Sequence, residues 1–424
     1  MSENILIIGA SFAGIGAAHY ALKHVVPALP KTDGKTYTVT LVNPSKDFFW
    51  RIAAPRAVVS KTLMPASKIL YPIEPGFKSY GKSFNFVLGT ATSVDSAAQS
   101  VSITTASGEQ QQIPYTALII ATGMATHSPL FTQTTDAASL TSSYDAFQKL
   151  LPSAKTIVIG GAGPVGVETA GEIAEALNGK PGLFASAPKN PKAKVTLVSA
   201  EKKMLPVLRE SISQKADKYL KRLGVDIAYS TRVVSATAGP DGSKTKVELS
   251  DGKTIDADIY LDCTGGDPQT SWLPPSWLNE RGKVAADPKT LRVPAAGPRV
   301  YVIGDAGSYT RGGVIDMGLA LPVALTNLKI DLTAHISGKA ATSERHYTAD
   351  TKESQVCPIG TSKGVGAFGG RELPSIMVWM IKGRDYLVGQ MAQKTVDGGQ
   401  WLKETKYEPQ TLKAAPQTAG LSSG

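Results

Sequence analysis

Two glycine-rich turns carry the chemistry this chain can support. The first is Gly9-Ala10-Ser11-Phe12-Ala13-Gly14, directly after the apolar run Ile5-Leu6-Ile7-Ile8. The second is Gly161-Ala162-Gly163-Pro164-Val165-Gly166, directly after Thr156-Ile157-Val158-Ile159. Each reads as strand, tight turn and helix, the context in which such a pattern binds a dinucleotide. Gly9 and Gly161 permit the turn. Ser11 and Gly163 are small enough for backbone to approach a pyrophosphate, and Gly14 and Gly166 let helix and strand pack closely. The helix N-terminus then holds the phosphates. Two such turns imply two nucleotides on one chain.

The elements around the turns repeat in the same order. A strand at Thr38-Val39-Thr40-Leu41-Val42 ends at Asn43, where this fold usually places a carboxylate for the ribose hydroxyls; Asn43 keeps the hydrogen bonding but lacks the charge. Tyr115 to Gly123 forms a buried strand closed by Thr122-Gly123, and Ala257 to Gly265 repeats it with Thr264-Gly265. Val300-Tyr301-Val302-Ile303-Gly304-Asp305 returns to the first half. The expected architecture is α/β: two Rossmann-like dinucleotide-binding domains and a small α+β C-terminal segment. The first domain is discontinuous, 1–124 with 290–345; the second is 125–289; the C-terminal segment is 346–407, followed by a disordered tail, 408–424.

Composition is consistent with this. A length of 424 residues suits two or three domains at about 150 residues each. The chain is 42% hydrophobic with 41 glycines, enough apolar material for large cores and many turns. No apolar run approaches the roughly 18 residues that cross a bilayer. The first strand begins by Asn4, leaving no room for a targeting peptide, and Ser2 excludes N-myristoylation. A cytoplasmic location is expected, with peripheral contact at a membrane left open. The net charge of +10 is read as a basic surface with phosphate-binding clefts rather than a nucleic-acid site, since no basic strip interleaved with aromatics occurs. Cys263 and Cys357 are far apart and form no Cys-x-x-Cys pair, so neither a disulfide framework nor a dithiol redox centre is expected.

The motif order resembles the pyridine nucleotide-disulfide oxidoreductase superfamily of two-dinucleotide flavoproteins over nearly the whole chain. Phe48 to Ala57 and Met380 to Val388 resemble its AMID-like branch, the apoptosis-inducing-factor-homologous, ferroptosis-suppressor-type NAD(P)H:quinone oxidoreductases. The resemblance implies FAD in the first domain and NAD(P)H as co-substrate in the second, with electrons passing to a quinone-like acceptor. It implies that Gly9, Ser11 and Gly14 line the FAD pyrophosphate, that Arg56 contacts the flavin, and that Val87 meets the adenine. Gly123, Gly304 and Asp305 would flank the same cofactor, with Asp305 on the ribityl chain. Gly161, Gly163, Gly166 and Gly265 would hold the nicotinamide nucleotide, and Glu168 its carboxamide. Ser199 stands where NADH-preferring relatives carry an acid; with Lys202 and Lys203 nearby, the expectation is NAD(P)H with a lean towards NADPH. The superfamily's cysteine pair is missing from Phe48 to Ala57, so electrons would leave the flavin directly. Gly312-Gly313 occupies the place of a lysine common in the branch, which puts quinone handling in doubt. His127, Tyr309 and Asp316 are candidates to move protons. Two other readings stand beside the quinone reductase: an FAD oxidase or pathway-specific redox enzyme acting on a small molecule, and a basic DNA-binding flavoprotein. Oligomeric state has no signal in the sequence.

Overall fold

The computed structural model describes residues 2–31, 34–133, 136–182, 185–240 and 244–412. Two parallel sheets organise the chain. The first has seven strands in the order Val300–Val302, Ala117–Ile120, Ser2–Ile8, Thr36–Asn43, Phe84–Asp95, Ser100–Thr105, Gln110–Pro114. The first five run parallel and the last two turn antiparallel. The second sheet is Val225–Ala228, Lys194–Val198, Thr156–Gly160, Ile259–Asp262, all parallel. In each, the fingerprint strand lies inside the sheet with neighbours on both sides. Its side chains are buried on both faces, which accounts for the continuous apolar runs Ile5–Ile8 and Ile157–Ile159.

The turns at the ends of these strands have the same geometry. Gly9 has φ +100° and Gly161 φ +99°, values that a side chain would strain. A Cβ on Gly14 would lie 1.7 Å from the Gly9 carbonyl oxygen, and one on Gly166 1.8 Å from that of Gly161. The helices Phe12–Tyr20 and Pro164–Asn178 can therefore start against their strands only because these positions lack side chains.

The two halves are joined by an antiparallel pair, Met124–Thr126 with Gly266–Pro268. The expected boundary at 289 is too late. Trp272, Leu273, Trp277 and Val284 share one apolar cluster with Leu6, Ile8, Ile120 and Val302, so chain from about residue 270 packs on the first sheet. The C-terminal segment carries the short sheet Gln355–Ile359, Lys363–Phe368, Arg371–Glu372 and packs on the helix Pro164–Asn178. A Cβ on Gly171 of that helix would lie 2.7 Å from the Gly360 amide nitrogen. The tail is ordered further than expected: Gln410–Thr411 pairs antiparallel with Ser343–Glu344. Residues 413–424 lie outside the described part. No helix among the described residues is long and apolar enough to cross a membrane.

Candidate functional site

The ends of the first-sheet strands open into a cavity of about 340 Å³. Ser11, Asn43, Gly123, Gly304 and Asp305 line it, with Ala10, Ala13 and Thr122. It continues into a space of about 180 Å³ lined by Gly9, Gly89, Ala91 and Trp272. Gly14 lies behind the turn, where it serves packing. Asn43 is committed to the loop: its Oδ1 accepts the Ala10 N–H at 2.9 Å, and its Nδ2 donates to the Ser45 carbonyl at 2.7 Å. Its first task is thus to fix the fingerprint turn. Asp305 Oδ1 accepts the Gly313 N–H at 2.9 Å, which pins the Gly312-Gly313 loop over the cavity.

Two expectations are corrected here. Arg56 does not line the cavity. Its guanidinium is buried, donates to Glu172 Oε1 at 2.8 and 3.0 Å, donates to the Gly383 carbonyl at 2.8 Å, and lies 4.7 Å from the Tyr386 ring centroid. The helix Ala54–Val59 turns this position inward, against the helix Pro164–Asn178. Val87 also misses the cavity: it pairs with Val42, one residue short of the strand end, and Gly89, Thr90 and Ala91 reach the open space instead.

The cation that does face the cavity is Arg51, which lies inside the Phe48 to Ala57 segment but had no role assigned from the sequence. It donates to the Phe131 carbonyl at 3.1 Å and to that of Met124 at 3.4 Å. Burial depresses its pKa, and nearby Asp305 opposes this. Its neighbour Trp50 is anchored by Nε1 to the Tyr386 carbonyl at 2.8 Å, which fixes the turn carrying Arg51. The available signal was an arginine five residues before Arg56, at the end of the Phe-Phe-Trp run. The cavity suits an extended, anionic, hydrogen-bonding group such as FAD. Thr122 and Trp272 line it, and each holds a buried polar atom, Oγ1 and Nε1, that lacks a partner among the described residues. With Arg51 and the fingerprint amides, they supply donors for a dinucleotide.

The second fingerprint opens into a separate cavity of about 610 Å³. Gly161, Gly163, Ser199 and Gly265 line it; Gly166 again lies behind, at the helix–strand contact. A Cβ on Gly163 would meet nothing within 4 Å, so that backbone is open to a ligand. Lys202 does not line the space, whereas Glu201, Lys203 and Arg232 do.

Glu168 is displaced from its expected role. It is buried, with Oε1 2.5 Å from Lys382 Nζ, and lines neither cavity. Two residues past Gly166, helix rotation turns it towards the C-terminal segment rather than the cavity. Burial pushes its carboxyl up to about 7, with Lys382 drawing it back down. The C-terminal segment, unremarkable by composition, supplies its partner.

The three proton-transfer candidates are all engaged. The Tyr309 hydroxyl accepts the Gly304 N–H at 2.8 Å, and burial drives its phenol far up. Asp316 accepts from the hydroxyls of Thr310 and Tyr347. His127 lies at the link between the domains, 3.5 Å from both Asp262 and Asp267. Cys263 and Cys357 are free thiols that burial pushes well up, so neither is a ready thiolate. Among the described residues no cluster of His, Cys, Asp or Glu could hold a metal.

The pyridine nucleotide-disulphide oxidoreductase family profile matches residues 3–318, and the chain belongs to this family. It is 42% identical to oxidoreductase phnG of Penicillium herquei, over 91% of this chain and 94% of that protein. It is 33% identical to oxidoreductase ptaL of Pestalotiopsis fici, over 93% and 99%. The branch resemblance is more distant: ferroptosis suppressor protein 1 of Homo sapiens is 25% identical over 91% and 94%. The sulfide:quinone oxidoreductase structure from Aquifex aeolicus superposes with TM-score 0.67 at 16% identity, covering 93% and 92%, and shares the fold. The protein is an oxidoreductase of a family that binds FAD and uses NAD(P)H.

Proposed function

We propose that this family member holds FAD in the cavity at Ser11, Arg51 and Asp305, takes reducing equivalents from NAD(P)H in the cavity at Gly163, and passes them to a small organic molecule of a particular pathway. The observation that carries the reading is the repeated turn, with Gly9 and Gly161 at nearly equal φ, each opening into its own cavity. A bound flavin supplies hydride acceptance and onward electron transfer. The chain's residues orient and shield. Arg51 and the first helix N-terminus neutralise a diphosphate, Asp305 fixes the loop that closes the cavity, and Gly163 lets a second diphosphate approach the backbone.

A pathway substrate is favoured over a membrane quinone for two reasons. The relatives at 42% and 33% identity are named simply as oxidoreductases, while the ferroptosis suppressor stands at 25%. The position of the branch lysine is Gly312-Gly313, which offers no cation to a quinone oxygen. With no accessible dithiol, the acceptor must draw electrons directly from the flavin.

Anaerobic stopped-flow measurement tests this. The purified protein, absorbing near 450 nm, is reduced with NADH or NADPH and then mixed with ubiquinone analogues, oxygen or conjugated enones in turn. Rapid bleaching by the nucleotide and reoxidation fastest with a non-quinone organic acceptor is expected. Reoxidation fastest with quinone would restore the quinone-reductase reading, and absence of flavin would sink both.

A further inference from the structure

The cavity beside the second fingerprint carries three charged side chains, Glu201, Lys203 and Arg232. Two of the groups around its rim are already engaged. Lys203 Nζ donates to the Leu208 carbonyl, and the Ser199 hydroxyl donates to the Glu201 carbonyl at 3.0 Å. Arg232 differs. Its backbone is clamped on both sides by Ser250: its N–H donates to Ser250 Oγ at 2.9 Å, and its carbonyl accepts the Ser250 N–H at 2.9 Å. The same loop is tied to the end of the strand Lys194–Val198: the Thr231 N–H donates to the Ser199 carbonyl at 2.9 Å and the Ser230 N–H to that of Glu201 at 3.2 Å. The guanidinium itself has no hydrogen bond or ion pair with any described residue. A rigid backbone thus presents an uncommitted cation to the cavity, next to Ser199.

We infer that Arg232 selects the 2′-substituent of the adenosine ribose and gives this protein its preference for NADPH over NADH. The inference rests on the second cavity being the NAD(P)H site. In doubly wound folds the ribose hydroxyls lie by the end of the second strand, which here is Ser199. A carboxylate there would repel a 2′-phosphate; Ser199 carries none, and its proton is already donated. Arg232 lines the same cavity as Ser199 from a neighbouring loop. Its planar fork can grip two phosphate oxygens at once, whereas the Lys203 ammonium, already donating to the Leu208 carbonyl, acts as a point charge. Glu201 opposes an added phosphate, but two cations on the rim outweigh one carboxylate. Lys202, adjacent in sequence, is excluded because it does not line the cavity.

The test uses the flavin-loaded protein and equilibrium binding of adenosine 2′,5′-bisphosphate and adenosine 5′-monophosphate, alongside kcat/KM for NADPH and NADH. Wild type should bind the bisphosphate more tightly. Arg232→Gln should weaken the bisphosphate about ten- to a hundred-fold, as expected when a charged hydrogen bond is removed, and change the monophosphate little. Arg232 is exposed, so the variant should fold. Lys203→Gln should cost less selectivity. An equal loss for both probes, no loss, or selectivity that follows Lys203 instead would overturn the inference while leaving the site intact. Failure of wild type to bind either nucleotide would overturn the site itself.

Discussion

Lys382 Nζ lies 2.5 Å from the Glu168 carboxylate although 214 residues separate them. Within the same packed layer, Arg56 is paired to Glu172, one helical turn on from Glu168, and Tyr386 donates to that same carboxylate at 3.1 Å. The helix that begins at the second fingerprint is thereby bolted to the C-terminal segment and to the helix Ala54–Val59 of the first domain. Positions that resemble flavin and nicotinamide contacts by motif instead hold three parts of the molecule together.

The Glu168 pair makes stability depend on pH. Its folded pKa, about 7, stands above the ordinary carboxylate value of 4.5, so the group's contribution is full below pH 4.5 and lost as pH rises through 7. Lys382→Met removes the cation that draws the carboxyl down and extends the loss upward. Urea denaturation should show the variant destabilised by about 3–5 kcal/mol at pH 8 and clearly less at pH 5.5, where Glu168 carries its proton. Equal losses at both pH values would refute the ionic account.

Arg51 and Arg56 should separate cleanly. Arg51→Met should lower FAD affinity about ten- to a hundred-fold by removing a charged hydrogen bond to the ligand, and should cost the flavin-free protein less stability than Arg56→Met does, because Arg51 donates only to the Phe131 and Met124 carbonyls. Arg56→Met should leave Glu172 buried without its cation, held only by the Tyr386 hydroxyl, and cost about 3–5 kcal/mol of stability. Flavin titration followed by fluorescence, with thermal melts of both variants, checks the pair. Flavin loss in Arg56→Met without destabilisation would return Arg56 to the flavin site.

Gly163→Ala and Gly161→Ala should differ in kind. A Cβ at Gly163 meets no protein atom within 4 Å, so this variant should keep wild-type stability while weakening NAD(P)H binding. At Gly161 the φ is +99° and a Cβ would lie 2.5 Å from the Cys263 carbonyl oxygen, so folding itself should suffer. Melting temperature against nucleotide Kd for the two variants decides it.

His19 should make the protein sensitive to acid. The ring is buried, stacked 3.9 Å from the Phe77 ring, and bonded through Nε2 to the Val396 carbonyl at 2.7 Å and through Nδ1 to the Tyr80 hydroxyl at 2.9 Å. Burial lowers its pKa from 6.5 to about 4. Its stabilisation is present above pH 6.5 and lost as pH falls towards 4, about 3 kcal/mol across that window. His19→Gln should show a shallower fall in stability between pH 6.5 and 4 than wild type. Parallel slopes would mean that carboxylates elsewhere account for the acid sensitivity.

The sequence alone determined the two nucleotide folds, because their requirements are local. A positive-φ glycine, a small residue facing the phosphate and a bare helix start sit within six residues of one another, after strands whose burial on both faces demands unbroken apolar runs. Ser11 and Gly163 were therefore legible as cavity residues from the turns themselves, whereas Gly123, Asp305 and Gly265, at other strand ends, were expected there only through the family resemblance. Tertiary structure decided everything that depends on which way a helix face points or which distant chain arrives there. Arg56 and Glu168 keep the motif spacing, yet helix rotation turns both into the interior, where Glu172 and Lys382 meet them. Arg51 and Arg232 belong to no spacing rule; they face their cavities because Trp50 is anchored to Tyr386 in one case and Thr231 to Ser199 in the other. The same holds for Trp272, which crossed the expected domain boundary because it belongs to the apolar cluster of the first sheet, with Ile8 and Ile120, rather than to the second. Local backbone chemistry is written in adjacent residues, whereas the charge that greets a ligand is set by contacts across tens to hundreds of positions.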